Sequence, residues 1–287
     1  MDIKFTKMHG LGNDFMVLDL VSQELEITPQ QIQQWSDRHT GIGFDQLLII
    51  EPPDQPDADF GYRVFNADGS QAEQCGNGAR CVAKLIADLE LSSKSTLVLQ
   101  TNTGRIETRR LHSDSADLRT DTVEVNMGRP RMAAQEVPFN VAAALSSEHS
   151  AFVLTTLERQ FSITPISMGN PHGVIFVDDI ASTPVAEIGQ ALTCHPFFPQ
   201  QANIGFCQIV DSGFVRLRVF ERGVGETQAC GTGACAAAVA GHLHGKLADK
   251  VKVSLPGGKV RIHWRGGDSP VKMTGPATFV YGGFLAA

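Results

Sequence analysis

The chain repeats itself once along its length, and this duplication constrains its fold more than any other feature of the sequence. The offset is 155 residues, which is the separation of Cys75 from Cys230 in a chain of 287 residues. The matching segments are Thr28-Pro29 with Thr183-Pro184, Arg63-Val64-Phe65 with Arg218-Val219-Phe220, and Cys75-Gly76-Asn77-Gly78-Ala79 with Cys230-Gly231-Thr232-Gly233-Ala234. Solenoid repeats have periods of about 20–50 residues, so this offset predicts a duplicated domain. We expect two halves of one fold, related by a pseudo-twofold axis.

The pattern of the first half predicts a strand-rich layer with two helices. Strands are expected at 15–19, 46–51 and 61–66, and a hairpin at 96–101 with 105–111. A helix over 28–39 should begin with a capping box, because Thr28 is followed by Pro29 and Gln31. A second, more apolar helix is expected over 79–89, with Arg80 on its exposed face.

The second half repeats this order. Strands are expected at 174–177, 206–210 and 215–221, helices at 184–192 and 234–244, and a hairpin at 251–255 with 260–264. We expect a loop at 113–120, a linker at 130–138 and an extra strand region at 271–285. The predicted fold is a mixed α/β (α+β) protein of two strand-rich domains, each a curled sheet or barrel around a central helix. Their predicted bounds are 1–127 and 128–273, a tail of 274–287 returns to the first half, and the active site is expected in the cleft between them.

Composition excludes several classes of protein. Lys and Arg number 24 against 31 Asp and Glu, and this net charge of −7 lacks the basic field that drives nucleic-acid binding. No stretch approaches the roughly 18 consecutive apolar residues of a membrane span, and no signal peptide is evident. We therefore expect a soluble, cytoplasmic protein with no nucleic-acid or membrane partner.

The six cysteines do not form a recognisable disulfide or zinc pattern. Cys75 with Cys81 and Cys230 with Cys235 lack the Cys-x-x-Cys spacing of structural zinc sites and thioredoxin-like centres. We predict no metal site, although a metal-binding module using these four cysteines and nearby histidines stays open as an alternative. Substantial zinc in the purified protein would favour that alternative.

The duplicated cysteines stand where each apolar helix should begin. Free N–H groups at a helix N-terminus stabilise anions, so a thiol there ionises more readily and a carboxylate can bind beside it. A tight loop in which the cysteine merely fits is the alternative, but two matched copies favour a function. Two thiols facing each other across a twofold axis suit a racemase or epimerase, in which one thiolate removes a proton and the other thiol returns one. The residues alone leave a Schiff-base lysine open.

Four segments between residues 8 and 234 carry long motifs in a fixed order. They are Met8-His9-Gly10-Leu11-Gly12-Asn13-Asp14-Phe15, Phe65-Asn66-Ala67-Asp68-Gly69-Ser70 leading into Cys75-Gly76-Asn77-Gly78-Ala79-Arg80-Cys81, Met168-Gly169-Asn170-Pro171-His172, and Glu221-Arg222-Gly223 with Glu226-Thr227 leading into Ala229-Cys230-Gly231-Thr232-Gly233-Ala234. Together they resemble the diaminopimelate epimerase family, and the resemblance covers essentially the whole chain.

The resemblance implies an enzyme that needs neither pyridoxal phosphate nor any other cofactor. Its reaction would interconvert LL- and meso-2,6-diaminoheptanedioate, a small diamino-dicarboxylate of lysine and peptidoglycan precursor biosynthesis. Cys75 and Cys230 would be the acid/base thiols. His172 and Glu221 are the best candidates to move protons onto and off them, although a histidine after Asn-Pro can instead cap a turn.

The same resemblance implies a set of substrate-binding groups. Backbone N–H groups would hold the reacting carboxylate, and neutral amides with one ion pair would hold the rest of a doubly zwitterionic substrate. The backbone donors would be Gly76, Asn77, Gly231 and Thr232, and the side chains Asn13, Gln46, Asn66, Asn170, Asn203, Glu221 and Arg222. The resemblance also implies a homodimer that uses Tyr281.

Two related activities remain as alternatives. A proline or hydroxyproline epimerase would use the same two-thiol chemistry, but Arg222 and the amide set favour a longer substrate. An isomerase without two catalytic thiols, as in phenazine-pathway relatives, is disfavoured because both cysteines are retained.

Overall fold

The computed structural model describes residues 2–72, 75–111, 119–148 and 150–286. The chain divides into two compact units, here called unit 1 (Met1–Asn126 with Thr274–Ala287) and unit 2 (Met127–Met273). Among the described residues, none of the helices is both long and apolar enough to cross a membrane.

The elements alternate between strands and a few short helices. Up to the end of the first part of unit 1 they are β1 (Ile3–Gly10), β2 (Asn13–Asp19), α1 (Pro29–Ser36), β3 (Gln46–Glu51), β4 (Phe60–Asn66), β5 (Gln71–Ala72), α2 (Gly76–Asp88), β6 (Thr96–Thr101), β7 (Gly104–Leu111) and β8 (Thr120–Asn126). Unit 2 contains a 3-10 turn (Val141–Ala143), β9 (Ser146–Glu148), β10 (Ala151–Thr156), β11 (Arg159–Ser167), β12 (Pro171–Phe176), α3 (Val185–Thr193), β13 (Asn203–Asp211), β14 (Phe214–Glu221), β15 (Gly225–Thr227), α4 (Gly231–Leu243), β16 (Lys250–Leu255) and β17 (Gly258–His263). The last strand, β18 (Lys272–Leu285), belongs almost entirely to unit 1.

Unit 1 is a ring of strands closed around α2. Antiparallel pairing joins β18 to β1, β1 to β2, and β3 to β4, while β2 with β3 and β4 with β6 are parallel. The hairpin partners β6, β7 and β8 continue the ring, and β8 pairs with β18 to close it. Every residue of α2 from Asn77 to Ile86 is buried, so the ring encloses both faces of the helix.

Unit 2 wraps α4 in the same way. Its sheet runs β10, β11, β12, β13 and β14, with β12 and β13 parallel, and continues through β16 and β17. The helix is buried from Gly233 to Gly241, where small residues let the surrounding strands approach closely. These observations confirm the predicted mixed α/β fold, in which a curled sheet surrounds a central helix.

The sequence repeat is also a repeat of strand connections. In unit 1 a parallel pair (β2, β3) is followed by β4, which also pairs with the short β5 and, beyond α2, with the parallel β6. In unit 2 the corresponding strands are β12, β13, β14, β15 and β16, and they pair in the same order and directions. The duplication therefore places Cys75 and Cys230 at equivalent points, directly after β5 and β15.

Several helix boundaries differ from the predictions. The helices α2 and α4 begin at Gly76 and Gly231, three residues before the predicted starts, because the cysteine before each glycine is the N-cap and the glycines form the first turn. The capping box of α1 at Thr28 and Gln31 is confirmed, but the helix ends at Ser36 and not at 39. Its end is fixed by Asp37, whose carboxylate accepts hydrogen bonds from the backbone N–H groups of His39 and Thr40.

The predicted strands are confirmed in position, but most of them were predicted shorter than they are in the structure. Pairing adds β8, the hairpin of β10 and β11, and the short β5, β9 and β15, none of which the local pattern predicted. The last strand, β18, pairs with β1 and β8 of unit 1. Residues 113–118 of the predicted loop lie outside the described residues. The predicted linker, 130–138, contains turns and one isolated bridge, from Arg131 to Ser167.

Candidate active site

Cys75 is the N-cap of α2 and is partly exposed. Its Sγ accepts a hydrogen bond from the Gly78 N–H at 3.4 Å, so the sulfur stabilises a free donor of the first turn. Its backbone carbonyl accepts from the hydroxyl of Tyr62 at 3.0 Å. Tyr62 is completely buried, and that burial, with the nearby Cys75 and Cys81, raises its pKa well above the usual value, so it is a donor at neutral pH. None of the sequence motifs includes this tyrosine or indicates a role for it.

A chain of side-chain amides leads from this cysteine to a carboxylate. The Cys75 thiol donates to Asn13 Oδ1 across 3.7 Å, and Asn77 Nδ2 donates to the same oxygen at 3.3 Å. Asn13 Nδ2 in turn donates to Asp45 at 3.0 Å. The structure thus brings Cys75, Asn13 and Asn77 together, and it adds Asp45, which the motifs did not single out.

Asp45 is part of a charged cluster that fixes the beginning of β2. Arg38 donates to both Asp14 and Asp45, at 2.8 and 2.7 Å, and Lys7 pairs with Asp14. Although partial burial opposes ionisation, the hydrogen bonds from Arg38 and Lys7 lower the pKa of Asp14 to about 2. Asp45, held by Arg38, in turn fixes the orientation of the Asn13 amide.

Gln46 and Asn66 form the second amide pair of unit 1. They are directly opposite each other on β3 and β4, and Gln46 Nε2 donates to Asn66 Oδ1 at 3.1 Å. Asn66 also donates to the Ser70 hydroxyl at 3.1 Å. Phe15 on β2 pairs with Gln46, which completes a row of three residues across neighbouring strands.

Cys230 caps α4 in unit 2 and is buried, with 4% exposure. Burial raises the pKa of its thiol well above the usual value, and the charge of Glu221 raises it further, while donors from Thr232 and Gly233 oppose the shift. Thr232 Oγ1 lies 3.6 Å from the sulfur. Cys230 is therefore a protonated thiol at neutral pH, beside the first-turn residues Gly231 and Thr232.

Glu221, at the end of β14, is the carboxylate that interacts with the Cys230 thiol. It is hydrogen bonded to both Cys230 and Thr227, and burial raises its pKa above the usual range. Thr227 lies on β15, so the short strand paired with β14 supplies the second donor. Thr227 belongs to the quoted motif but was not predicted to act.

His172 on β12 is fully buried and held neutral. Burial, reinforced by the charge of Arg222, lowers the pKa of its imidazole to about 3. Its Nε2 lies 3.1 Å from Asn170 Oδ1, while Nδ1 is buried and has no hydrogen-bond partner among the residues that the structure describes. An imidazole in this state can accept or relay a proton but is not a resting cation.

Asn203 and Arg222 are linked through the backbone. Asn203 on β13 pairs with His172, and its Oδ1 accepts from the Arg222 N–H at 2.9 Å. The guanidinium of Arg222 is exposed and donates to the Gln200 carbonyl at 3.2 Å. Asn203 therefore fixes the turn from which Arg222 projects.

The prediction for Arg80 is wrong. It was expected on the exposed face of α2, but it is 0% exposed, because the ring of strands encloses the polar side of the helix as well as the apolar side. Its Nη2 donates to Asn77 Oδ1 at 2.8 Å.

The other four cysteines differ in burial. Cys81, Cys207 and Cys235 are fully buried, and burial raises the pKa of Cys81 and Cys207 to about 12. Cys194 lies exposed at the end of α3. Within the described parts of the chain, no three His, Cys, Asp or Glu side chains are grouped as metal ligands would be.

Comparison with known proteins identifies the family of this chain. The family model described as diaminopimelate epimerase matches residues 5–133 and 164–280. A diaminopimelate epimerase of Pseudomonas aeruginosa strain PAO1 is 52% identical over 284 residues, and those of Ectopseudomonas mendocina and Azotobacter vinelandii are 52% identical over 283 and 284 residues. In each case the match covers 99% of this chain and 99% of the relative.

Solved structures agree on the fold at low sequence identity. A hydroxyproline epimerase from Agrobacterium vitis superposes with a TM-score of 0.70 at 15% identity, covering 99% of this chain and 92% of the other. A PhzF-family phenazine biosynthesis protein from Bacillus anthracis has a TM-score of 0.67 at 16% identity, covering 100% of both chains. By its matches over nearly the full length, this chain belongs to the diaminopimelate epimerase family and is an isomerase.

Proposed function

We propose that this enzyme interconverts LL- and meso-2,6-diaminoheptanedioate by proton transfer between one α-carbon and two thiols, Cys75 and Cys230. The observation that carries the proposal is the matched pair of cysteine N-caps, each at the first turn of a buried helix in its own unit. A two-base reaction needs an acid and a base of the same kind on opposite faces of one carbon.

The Cys230 side is built to hold a proton and to exchange it. The high pKa of the buried thiol keeps it protonated, and Glu221 is hydrogen bonded to it. When Cys230 acts as acid, its proton goes to the α-carbanion and the resulting thiolate faces the first-turn N–H groups of α4. When it acts as base, the thiol first gives its proton to Glu221, and the thiolate then removes the α-proton while the Cys75 thiol returns a proton to the opposite face of the carbon. His172, neutral and buried on β12, is proposed to serve this transfer from the neighbouring strand.

The Cys75 side acts through amides. The Gly78 N–H bonded to the sulfur stabilises the thiolate, and Asn13 Oδ1 accepts from the thiol form, so both protonation states have a partner. Such a sulfur can pass between the two states without rearrangement of its surroundings. Neither of these partners is charged, in contrast to Glu221.

The α-proton of an amino acid is weakly acidic, so the carbanion must be stabilised electrostatically. We propose that the reacting carboxylate binds the first-turn N–H groups of α2 and α4, where helix dipoles and free donors favour negative charge. The donors are those of Gly76, Asn77, Gly231 and Thr232. The two thiols and two helix N-termini supply the reaction without a cofactor.

The other groups of the substrate require a second set of contacts. We propose that Arg222 grips the distal carboxylate, since its guanidinium is exposed and can bind two oxygens at once. Ammonium groups would be held by amide oxygens and by Glu221. The amides proposed for this set are Asn13, Gln46, Asn66, Asn170 and Asn203.

We also propose a cytoplasmic homodimer whose product feeds lysine and peptidoglycan synthesis. Val280, Tyr281 and Phe284 on β18 are 45%, 42% and 69% exposed, an apolar surface that a second copy of the chain would cover. Light scattering of the purified protein at micromolar concentration should give the mass of two chains, and the mass of one chain would contradict the dimer.

Proton NMR in deuterated water tests the reaction itself. LL-diaminopimelate is incubated with the enzyme and fresh reductant, with no pyridoxal phosphate added. We expect deuterium at one α-carbon together with meso product. Proline and hydroxyproline are run in parallel, and exchange with these alone would move the enzyme to the alternative substrate class. No exchange with any amino acid would overturn the proposal.

A further inference from the structure

Arg80 is a fully buried arginine in the helix that carries Cys75. It lies on α2, five residues after the cysteine, and is 0% exposed. A guanidinium is permanently charged and has only donors, so it is retained in a protein interior where specific acceptors surround it. The identity of those acceptors indicates what the residue holds in place.

The acceptors of Arg80 tie the first turn of α2 to the surrounding strands. Nη2 donates to Asn77 Oδ1 at 2.8 Å, and Nη1 lies 3.5 Å from the Gly76 carbonyl. Nε donates to the Pro276 carbonyl on β18 at 3.0 Å. On the other side, a Cβ added to Gly10 of β1 would be 3.0 Å from Nη2, so this strand also packs directly against the guanidinium.

These contacts also fix the direction of the amides that face the thiol. Because Arg80 only donates, Asn77 must turn its oxygen towards the guanidinium and its Nδ2 towards Asn13. Because the Asp45 carboxylate only accepts, Asn13 must turn its Nδ2 away from the cysteine. The oxygen of Asn13 is thereby left facing Cys75, at 3.7 Å.

Unit 2 has no counterpart of this arginine. The repeat places Cys235 at the equivalent position of α4, where every residue from Gly233 to Gly241 is buried and none carries a charge. Within α2 itself, the other buried cation is Lys84, whose Nζ pairs with Asp88 at 2.9 Å near the end of the helix. The comparison with α4 indicates that a central helix of this fold does not need a buried charge. Of the two buried cations of α2, Arg80 is the one that contacts the first turn.

We propose that Arg80 is a positioning residue of the reaction: it locks the first turn of α2 against β18 and presets the Asn77–Asn13 amide chain that faces the Cys75 thiol. The inference rests on the proposed function of Cys75. Arg80 acts through these groups and does not itself touch the substrate.

The test compares three single variants with the wild-type enzyme in the epimerisation assay. Arg80→Met removes all donors and should lower kcat/KM about 10- to 100-fold, because small displacements of a reacting group are costly. Arg80→Lys keeps the charge and a donor, and it should recover at least a third of the activity that Arg80→Met loses. Lys84→Met removes the other buried cation of α2 and should leave kcat/KM within about twofold of wild type.

Hydrogen exchange gives a readout that does not depend on turnover. Backbone amides of the first turn of α2 should exchange faster in Arg80→Met, whereas those of α4 should not change. If Arg80→Met fails to fold, Gly10→Ala replaces it, since the added methyl presses on the guanidinium without removing it and should lower kcat/KM several-fold.

Each outcome decides one question. Wild-type kcat/KM in folded Arg80→Met, or an equal loss in Lys84→Met, would overturn the positioning role. Failure of Arg80→Lys to recover activity would do the same. Full turnover in a Cys75→Ala variant would instead overturn the proposed function, whatever the arginine variants show.

Discussion

The two units have the same order of strand pairing around a central helix, but the side chains around their cysteines differ in chemistry. In each, a cysteine caps a buried helix, and a row of three side chains crosses the strands before it. The rows are Phe15, Gln46 and Asn66 in unit 1, and His172, Asn203 and Glu221 in unit 2. Only the row of unit 2 contains titratable groups. The helices differ in the opposite sense, because α2 contains a buried Arg80 and α4 only small, uncharged residues at its buried positions.

This contrast shows what duplication preserves. A helix cap depends on local backbone geometry, so a copied segment keeps its cysteine at the same point of the fold. The side chains across the strands are free to diverge, and in unit 2 the charge of Glu221 adds to burial in raising the pKa of Cys230. A substrate with one reacting centre and one distal centre requires such asymmetry on a symmetric scaffold.

Removing either thiol should have the largest effect. Cys75→Ala and Cys230→Ala should each lower the rate of epimerisation by about 1,000-fold or more, because a positioned acid or base contributes about 10²–10⁴ and no other group can replace it. The deuterium NMR assay measures this. Cys194→Ala, at the exposed end of α3, is the matched control and should be fully active. Near-normal turnover in either active-site variant would contradict the two-thiol scheme.

Glu221→Gln should reduce kcat by about 100-fold and shift its pH dependence. The negative charge of Glu221 raises the pKa of Cys230, so its removal lowers that pKa. The limb of the kcat/KM profile that reports Cys230 should therefore move to lower pH. Glu226→Gln is the control, since Glu226 lies on the paired strand β15 but forms an ion pair with Arg218. An unmoved profile in Glu221→Gln would show that the carboxylate does not act on this thiol.

The smallest effect is expected for His172→Phe, which introduces the residue found at the equivalent position of unit 1, Phe15. The quantity that should change is the free energy of unfolding. The folded pKa of about 3 is below the ordinary value of 6.5, so the unfolded chain binds more protons between these values and stability falls as pH decreases through this window. From pH 6.5 to pH 5 the histidine should account for up to about 2 kcal/mol of lost unfolding free energy. Urea denaturation of wild type and variant at both pH values measures it. The same pH dependence in both proteins would contradict this contribution.

Much of the fold was predictable because its determinants are local. The capping box of α1, the turn between β6 and β7, and the apolar run of α2 are each encoded within a few residues. The duplication added long-range information, since matched segments must occupy matched places. The pairing of β8 with β18 was not predictable from local pattern, because the two strands are far apart in the chain.

The site divides in the same way. The motifs brought forward both cysteines, Glu221, His172 and the amides, and the structure places Asn13 and Asn77 at Cys75 and Glu221 at Cys230. Tyr62, Asp45 and Thr227 were missed, because each contacts the site through a hydrogen bond that only the folded chain creates.

The sequence by itself determined the family, the duplication and the position of each cysteine before its helix, because these depend on residue identity and short-range backbone preference. Tertiary structure decided the environment of each thiol. The burial that raises the pKa of Cys230 comes from strands distant in the chain, as does the closed ring that buries Arg80 on what would be the polar face of an isolated helix. Solvent exclusion is a property of the assembled sheet, and no stretch of sequence contains it alone.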